Sequence, residues 1–228
     1  MSGEKIFSWA VNFQINIKSA DTSDTTTILN KKMRELGKYF FKYRSYIPVP
    51  FVLLMLVFMK PTLLSIIIGF AVALTGELIR IWSVGYAGSE TRTTSGVGGT
   101  YLVTQGPYSM VRNPLYIGNI MLYVGIGIMS MALFPWLQIF AFVFFLFQYH
   151  CIILAEEDFL SGKFAGKFSL YRSSVGRFIP WFNNVPESIL SDLNFKLNEG
   201  IKSERRSLQA FLITSSIIIL CFLYRTFF

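Results

Sequence analysis

Apolar residues in this chain gather into long runs, at about residues 46 to 59, 62 to 82, 115 to 133, 135 to 154 and 208 to 224, and polar and charged residues fill the stretches between. A helix that crosses a bilayer needs about 20 mostly apolar residues, so the pattern predicts five helices of near-spanning length. The first is the weakest. Its strict apolar run is 14 residues long and contains Pro48 and Pro50, so it either borrows Tyr39 to Tyr43 or forms a partial or kinked span. Only a few residues around Phe134 and Pro135 separate the third run from the fourth, which predicts a tight antiparallel hairpin. Such a hairpin brings the start of one helix, Asn113-Pro114, beside the end of the other, Glu156-Glu157-Asp158.

The segments between the runs carry their own patterns. Residues 1 to 30 mix short apolar and polar stretches and offer no motif. From Lys31 to Arg44, basic residues interleave with Leu36, Tyr39, Phe40 and Phe41, a pattern suited to a helix lying among lipid headgroups. Glycines 85, 88, 96, 98 and 99 predict an irregular loop that leads into Thr100-Tyr101-Leu102-Val103. The Gly-Val-Gly-Gly run within it has no preceding strand and no βαβ context, so it is not a dinucleotide fingerprint. Beyond Asp158, aromatic and aliphatic residues recur at mostly helical spacing between Lys163, Lys167, Arg172 and Arg177, which predicts an amphipathic cover over the end of the hairpin.

Composition makes the membrane the expected solvent: 53% of the residues are hydrophobic, 15% are charged, and mean hydropathy is +0.49. Of the 21 Lys and Arg residues, eight precede residue 45 and eight fall between Lys163 and Arg206, whereas only Lys60 and Arg225 fall on the other side of the expected spans. Positive residues stay cytoplasmic, so the N-terminus and both long polar connections are expected there, with the C-terminus outside. The net charge of +8 then belongs to topology and to anionic membrane lipids. It is spread along membrane-flanking segments without a recognition motif, which argues against nucleic acid as a partner. Cys151 and Cys221 lie in expected spans without metal-ligand spacing, so neither a disulfide framework nor a metal site is expected. The polar first 30 residues do not read as a cleavable signal sequence.

The candidate chemistry centres on residues 106 to 119. Asn113 reads as an N-cap and Pro114 as the first helical residue, so free backbone N–H groups would meet a ligand beside Arg112. The same features describe an ordinary well-capped helix. Glu77 and Arg80 share one helical face and form either a structural pair or part of a cavity wall. Glu156 and Glu157 offer partners to a cationic group, or face water, as Asp158 is expected to do. Arg172 and Arg177 reach either a bound anion or headgroup phosphates. His150, the only histidine, is expected to be a hydrogen-bonded structural group, and with Glu157 it is a candidate base.

Taken in order, Gly106-Pro107-Tyr108, the stretch from Val111 to Gly118, Glu156-Glu157-Asp158-Phe159-Leu160 and the stretch from Tyr171 to Pro180 resemble blocks of the isoprenylcysteine carboxyl methyltransferase and phospholipid methyltransferase superfamily, over roughly residues 76 to 181. The resemblance implies an all-α integral membrane bundle of about five transmembrane helices. It further implies an enzyme that uses S-adenosylmethionine at the cytoplasmic face to methylate a lipophilic acceptor. By position it assigns the cofactor to Thr100, Tyr101, Leu102, Val103, Tyr108, Asn113, Pro114, Leu115, Tyr116 and Glu156, with Glu156 facing its amino group, and Arg112 suits its carboxylate. Glu157, Arg172 and His150 stand as the candidates for catalysis. The organisation expected is a polar tail and interfacial segment over 1–45, a methyltransferase core over 46–181, and a linker with a last transmembrane helix over 182–228.

Two positions depart from the family pattern. Asn113 stands where a histidine precedes the proline, which keeps a hydrogen-bonding group but removes an imidazole. Ile152 stands where the carboxyl methyltransferases carry an arginine for the acceptor carboxylate, so the acceptor is open: a prenylated carboxylate, the amine of a phospholipid, a thiol or another lipid group. Two rivals from other classes share the scaffold. One is a nicotinamide-dependent, sterol-reductase-like oxidoreductase, although Asn119 stands where that motif tends to be acidic. The other is a non-enzymatic membrane protein.

Overall fold

The computed structural model describes residues 27–88, 101–180 and 185–228. The predicted tail and most of the glycine loop, with Thr100, lie outside them. Among the described residues the secondary structure is helical: α1 Thr27–Tyr43, α2 Pro48–Val57, α3 Leu63–Ala87, α4 Pro107–Met110, α5 Pro114–Ser130, α6 Trp136–Ser174 and α7 Leu197–Phe227, with a short 3-10 turn at Glu187–Ile189. The chain is an all-α bundle. Three helices, α3, α6 and α7, are long and apolar enough to cross a membrane, and α1 with α2 makes a fourth candidate if that pair is one span bent by 61°. The bend falls just ahead of Pro48 and Pro50, whose rings block helix continuation. The fifth expected helix is α5, an apolar helix of 17 residues at the short limit for a crossing.

Two expectations about boundaries change. α3 continues through Gly85 to Ala87, because the Phe195 ring lies where a Gly85 side chain would sit and so lets the 195 segment pack on the helix. α6 does not end at the acidic cluster. It carries Glu156, Glu157 and Asp158 as helical residues, breaks at Ala165 (φ 33°) and then resumes, so the amphipathic cover is its continuation.

Close approach of α3 and α5 sets the core. Gly69, Ala73 and Gly76 on α3 face Gly118 and Gly125 on α5, and a side chain at Gly76 would lie 2.6 Å from the Gly118 carbonyl oxygen. Small residues at this spacing let apolar helices associate by backbone contact where no hydrophobic effect drives them together. Gly200 does the same for α7, whose start packs on Ile81 and Gly85 while the Lys196 N–H donates to the Gly85 carbonyl at 2.9 Å. That anchor turns the next α7 residues toward the middle of α3. Gly37 admits α1 against the Cys151 carbonyl of α6, so the basic helix packs on the bundle.

Candidate functional site

A chamber of about 860 Å³ opens where the ends of α1 and α3, the starts of α2, α5 and α7, and the middle of α6 converge. One part of its wall is polar, with Arg44, Arg80, Tyr108, Arg112, Asn113, Glu156 and Glu204. The other is apolar, with Val49, Val52 and Leu53 of α2, Leu122 and Ile126 of α5, and Phe211 of α7. Its size is toward the upper end of the roughly 300–1,000 Å³ usual for small-molecule sites.

Most of the expected cofactor residues share this chamber. Tyr101, Leu102, Val103, Tyr108, Arg112, Asn113, Leu115, Tyr116 and Glu156 line it; Pro114 is buried behind the wall at the first turn of α5; Thr100 lies outside the described residues. The 101–105 segment is held in place by buried Thr104, which donates to the Ile189 carbonyl at 2.9 Å and accepts from the Ser191 N–H at 2.9 Å. Burial, with Glu156 and Glu204 nearby, pushes the Tyr108 phenol well above its ordinary value, so it remains a neutral donor. The Tyr116 hydroxyl donates to Glu156 Oε1 at 2.6 Å, and its ring stacks on Tyr149 with centroids 4.6 Å apart.

Asn113 does occupy the N-cap position, but its side chain makes no cap bond and instead donates to the Arg177 carbonyl at 3.2 Å. The opening N–H groups of α5 are therefore left without a capping side chain. Arg112 is also committed elsewhere. Its Nη1 donates to the carbonyls of Arg172 (2.7 Å) and Val175 (2.6 Å), its Nη2 to Glu157 Oε1 (3.0 Å), and only its buried Nε lacks a partner.

The three residues expected to act in catalysis do not line the chamber. Neighbours on an α-helix point about 100° apart, so Glu157 faces away from Glu156 and sits between Arg112 and Arg177, with Arg177 Nη2 at 2.6 Å. His150 Nδ1 is 3.5 Å from Arg177 Nη1 in the same network. Arg172 is exposed and contributes its carbonyl to Arg112. The segment is fastened further by the Arg112 N–H on the Gly176 carbonyl at 2.8 Å and the Tyr171 hydroxyl on the Tyr108 carbonyl at 2.7 Å. Asp158 is largely exposed and pairs with Arg34 at 2.9 Å. Ile152 is fully buried in an aromatic and aliphatic cluster.

Other residues enter from outside the motif. Arg80 Nε is 3.3 Å from Glu77 Oε2, and its guanidinium also binds Glu204 of α7; Arg80 and Glu204 line the chamber. Asn119, Tyr123 and Tyr149 line it as well. The pairing of Glu77 with Arg80 was legible from their spacing. Glu204 was not, since it sits among Lys202, Arg205 and Arg206 and reads locally as part of a solvated face. Among the described residues, no group of three or more His, Cys, Asp or Glu side chains is placed to hold a metal ion.

Residues 64–167, which include α5 and both glutamates of the acidic pair, match the family model described as phospholipid methyltransferase. Over that stretch the chain is similar to the phospholipid methyltransferase family. The family match and the apolar helices together point to an integral membrane protein related to methyltransferases. The chain is also 32% identical over 122 residues to the cobalt-zinc-cadmium resistance protein CzcN of Cupriavidus metallidurans, covering 53% of this chain and 50% of that protein. It is 40% identical over 86 residues to the nickel-cobalt-cadmium resistance protein NccN of Alcaligenes xylosoxydans xylosoxydans, covering 38% of this chain and 39% of that protein. The chain thus spans half or less of the length of these curated relatives. No solved structure matches it significantly.

Proposed function

We propose that this protein is an S-adenosylmethionine-dependent methyltransferase that acts on a lipophilic acceptor entering from the bilayer. The observation that carries the reading is the single chamber that joins Glu156, the uncapped start of α5 and Arg112 to an apolar wall between helices. The residues fit the cofactor's charges. Glu156, oriented by Tyr116, suits its ammonium, and the open N–H groups of α5 with the unpartnered Arg112 Nε suit its carboxylate. When bound, the cofactor supplies a methyl group already activated on a sulfonium. The chain has then to align a nucleophile with that group and exclude water, and a chamber walled by Leu122, Ile126 and Phe211 is suited to both. We place the chamber on the cytoplasmic side, because Arg44, Arg80, Arg112 and Arg206 gather at its end while Lys60 and Arg225 line a cavity with Met131 and Phe134 at the hairpin end.

Titration of the purified protein with labelled S-adenosylmethionine tests the reading. Saturable binding, weakened about 10-fold to 100-fold by Glu156→Ala and by Tyr116→Ala, is expected from the loss of a charged hydrogen bond or of its orienting donor. Preference for a nicotinamide nucleotide would overturn it. The names of the two relatives favour a physiological setting in metal resistance, reached through a methylated membrane component. Deletion of the gene would then raise sensitivity to cobalt, zinc or cadmium, and a catalytically impaired variant would not restore growth.

A further inference from the structure

Charge is distributed unevenly between the two ends of the bundle. The sequence has no Asp or Glu from 36 to 76, from 91 to 155 or after 204, so α2, α5, the turn ahead of α3, the loop between α5 and α6 and the apolar part of α7 contain no carboxylate side chain. Along α3 the first acidic residue is Glu77, about four turns in. Lys60 and Arg225 nevertheless stand at that end, and both line one cavity of about 470 Å³ together with Phe58, Met131, Leu133 and Phe134.

Fixed parts of the fold build this cavity. The Lys60 N–H donates to the Ser130 carbonyl at 2.8 Å, which ties the turn ahead of α3 to the end of α5. Arg225 Nη1 donates to the Met59 carbonyl at 2.9 Å and brings the last turn of α7 to the same place. Across the cavity, the loop into α6 passes through Met131 (φ 50°) and Leu133 (φ 47°), left-handed conformations that strain a residue with a side chain and persist only where the surroundings hold them. Buried Gln138 does so, with Nε2 donating to the carbonyls of Gly127 at 2.8 Å and Ala132 at 3.1 Å. Leu133 and Phe134 are left about half exposed at the cavity's edge.

The cavity thus carries two cations inside an apolar rim. Among the described residues neither charge meets a carboxylate, and the bond that Arg225 makes goes to a neutral carbonyl. Water alone would satisfy two cations at a surface, but it gains nothing from the exposed side chains of Phe58, Leu133 and Phe134. A phospholipid answers both features. Its phosphate suits the N–H fork of an arginine and the point charge of a lysine, and its chains suit the rim. Basic pockets between membrane helices bind lipid headgroups for this reason. We propose that the cavity is a phospholipid site in which Lys60 and Arg225 hold the phosphodiester and the acyl chains lie along Phe58, Leu133 and Phe134. It lies at the opposite end of α3, α5 and α7 from the chamber, so the lipid is a fastening and not a substrate, and the site does not depend on the methyltransferase reading. By touching the turn ahead of α3, the loop into α6 and the last turn of α7, one bound lipid joins three separate segments.

Thermal unfolding of the full-length protein, stripped of lipid in a maltoside detergent, tests this with three probes: dioleoylphosphatidylglycerol, dioleoylglycerol, which lacks the phosphate, and inorganic phosphate. Phosphatidylglycerol is expected to raise the unfolding temperature saturably by about 5 °C, because a ligand that binds only the folded state stabilises it. The other two should not. Lys60→Gln and Arg225→Gln should each weaken the apparent affinity for phosphatidylglycerol about 10-fold, and together they should remove the shift. Lys60→Arg with Arg225→Lys keeps both charges and should keep most of the shift, which separates lost binding from a damaged fold. Lys31→Gln with Lys32→Gln, on the exposed basic face of α1, should leave the shift unchanged. An equal shift from dioleoylglycerol, or one that survives in the Lys60→Gln, Arg225→Gln double variant, would overturn the proposal. An equal shift from inorganic phosphate would overturn it too, by making the site one for a free anion. So would the absence of any shift, its loss in the charge-keeping variant, or its loss through Lys31 and Lys32 alone.

Discussion

Two buried ion clusters flank the chamber, and the shared residue at their centres has opposite charge. In the cluster at the end of α6, one carboxylate, Glu157, serves two guanidiniums, Arg112 and Arg177. In the cluster between α3 and α7, one guanidinium, Arg80, serves two carboxylates, Glu77 and Glu204. The first turns its spare cationic donors onto the carbonyls of Arg172 and Val175, so its excess charge fastens the α6 continuation to the turn before α5. The second leaves Glu77 Oε1 without a partner and exposes Arg80 and Glu204 to the chamber. A cluster whose donors are spent within the protein acts as a fastening, and one on the chamber wall also meets whatever the chamber holds.

The largest effect expected is from removing the shared partner of either cluster. Glu157→Ala leaves two mostly buried guanidiniums facing each other, and breaking such a pair costs about 3–5 kcal/mol. The detergent-solubilised protein should unfold at a clearly lower temperature. Arg80→Ala should cost a similar amount by taking the shared guanidinium from Glu77 and Glu204. Glu77→Gln separates the clusters: it removes the charge of a carboxylate whose Oε1 has no partner while keeping an acceptor for Ser207, so stability should change by less than about 1 kcal/mol or rise. A loss from Glu77→Gln as large as that from Glu157→Ala would erase the contrast and make both clusters structural. Between these falls Gly76→Ala, for which the methyl would lie 2.6 Å from the Gly118 carbonyl and 2.7 Å from the Leu122 nitrogen. Forcing α3 from α5 should cost about 1–3 kcal/mol, read in the same unfolding experiment, and should widen the wall that carries Arg80.

The same two clusters mark how far the chain could be read without coordinates. The apolar runs, the hairpin and the turn at Asn113-Pro114 follow from local pattern, and a helix covers each run, although α3 and α6 end later and α7 begins earlier than the runs predicted. The partners of the charges depend on helix packing, which local pattern does not encode. Arg112 looked available to a ligand because its contacts, the Arg172 and Val175 carbonyls, come from 60 residues or more along the chain. The resemblance alone gave Glu156 and Glu157 different roles, and α6 continues through them and turns them to different sides. Glu204 was hidden because its partner lies 124 residues away, and only the packing of Gly200 on Ile81 and Gly85 brings them together. The small residues at Gly69, Ala73, Gly76, Gly118 and Gly125 were a readable sign of the α3 and α5 contact, and they pass unnoticed when only apolar run length is counted.

A third ion pair calibrates the other two. Arg34 and Asp158 meet at 2.9 Å, as close as many buried pairs, yet their side chains are 44% and 56% exposed. Water competes for both charges and salt screens them, so the pair is worth roughly 0–1 kcal/mol before the entropy of ordering two side chains is counted. Asp158→Ala should therefore leave the unfolding temperature almost unchanged, and any small loss should vanish at high ionic strength. Asp158 is the residue after Glu157, on the same helix and with the same chemistry. If both alanine variants unfolded alike, burial would not be what separates them, and the assignment of Glu157 to a fastening would fail on the distance evidence alone.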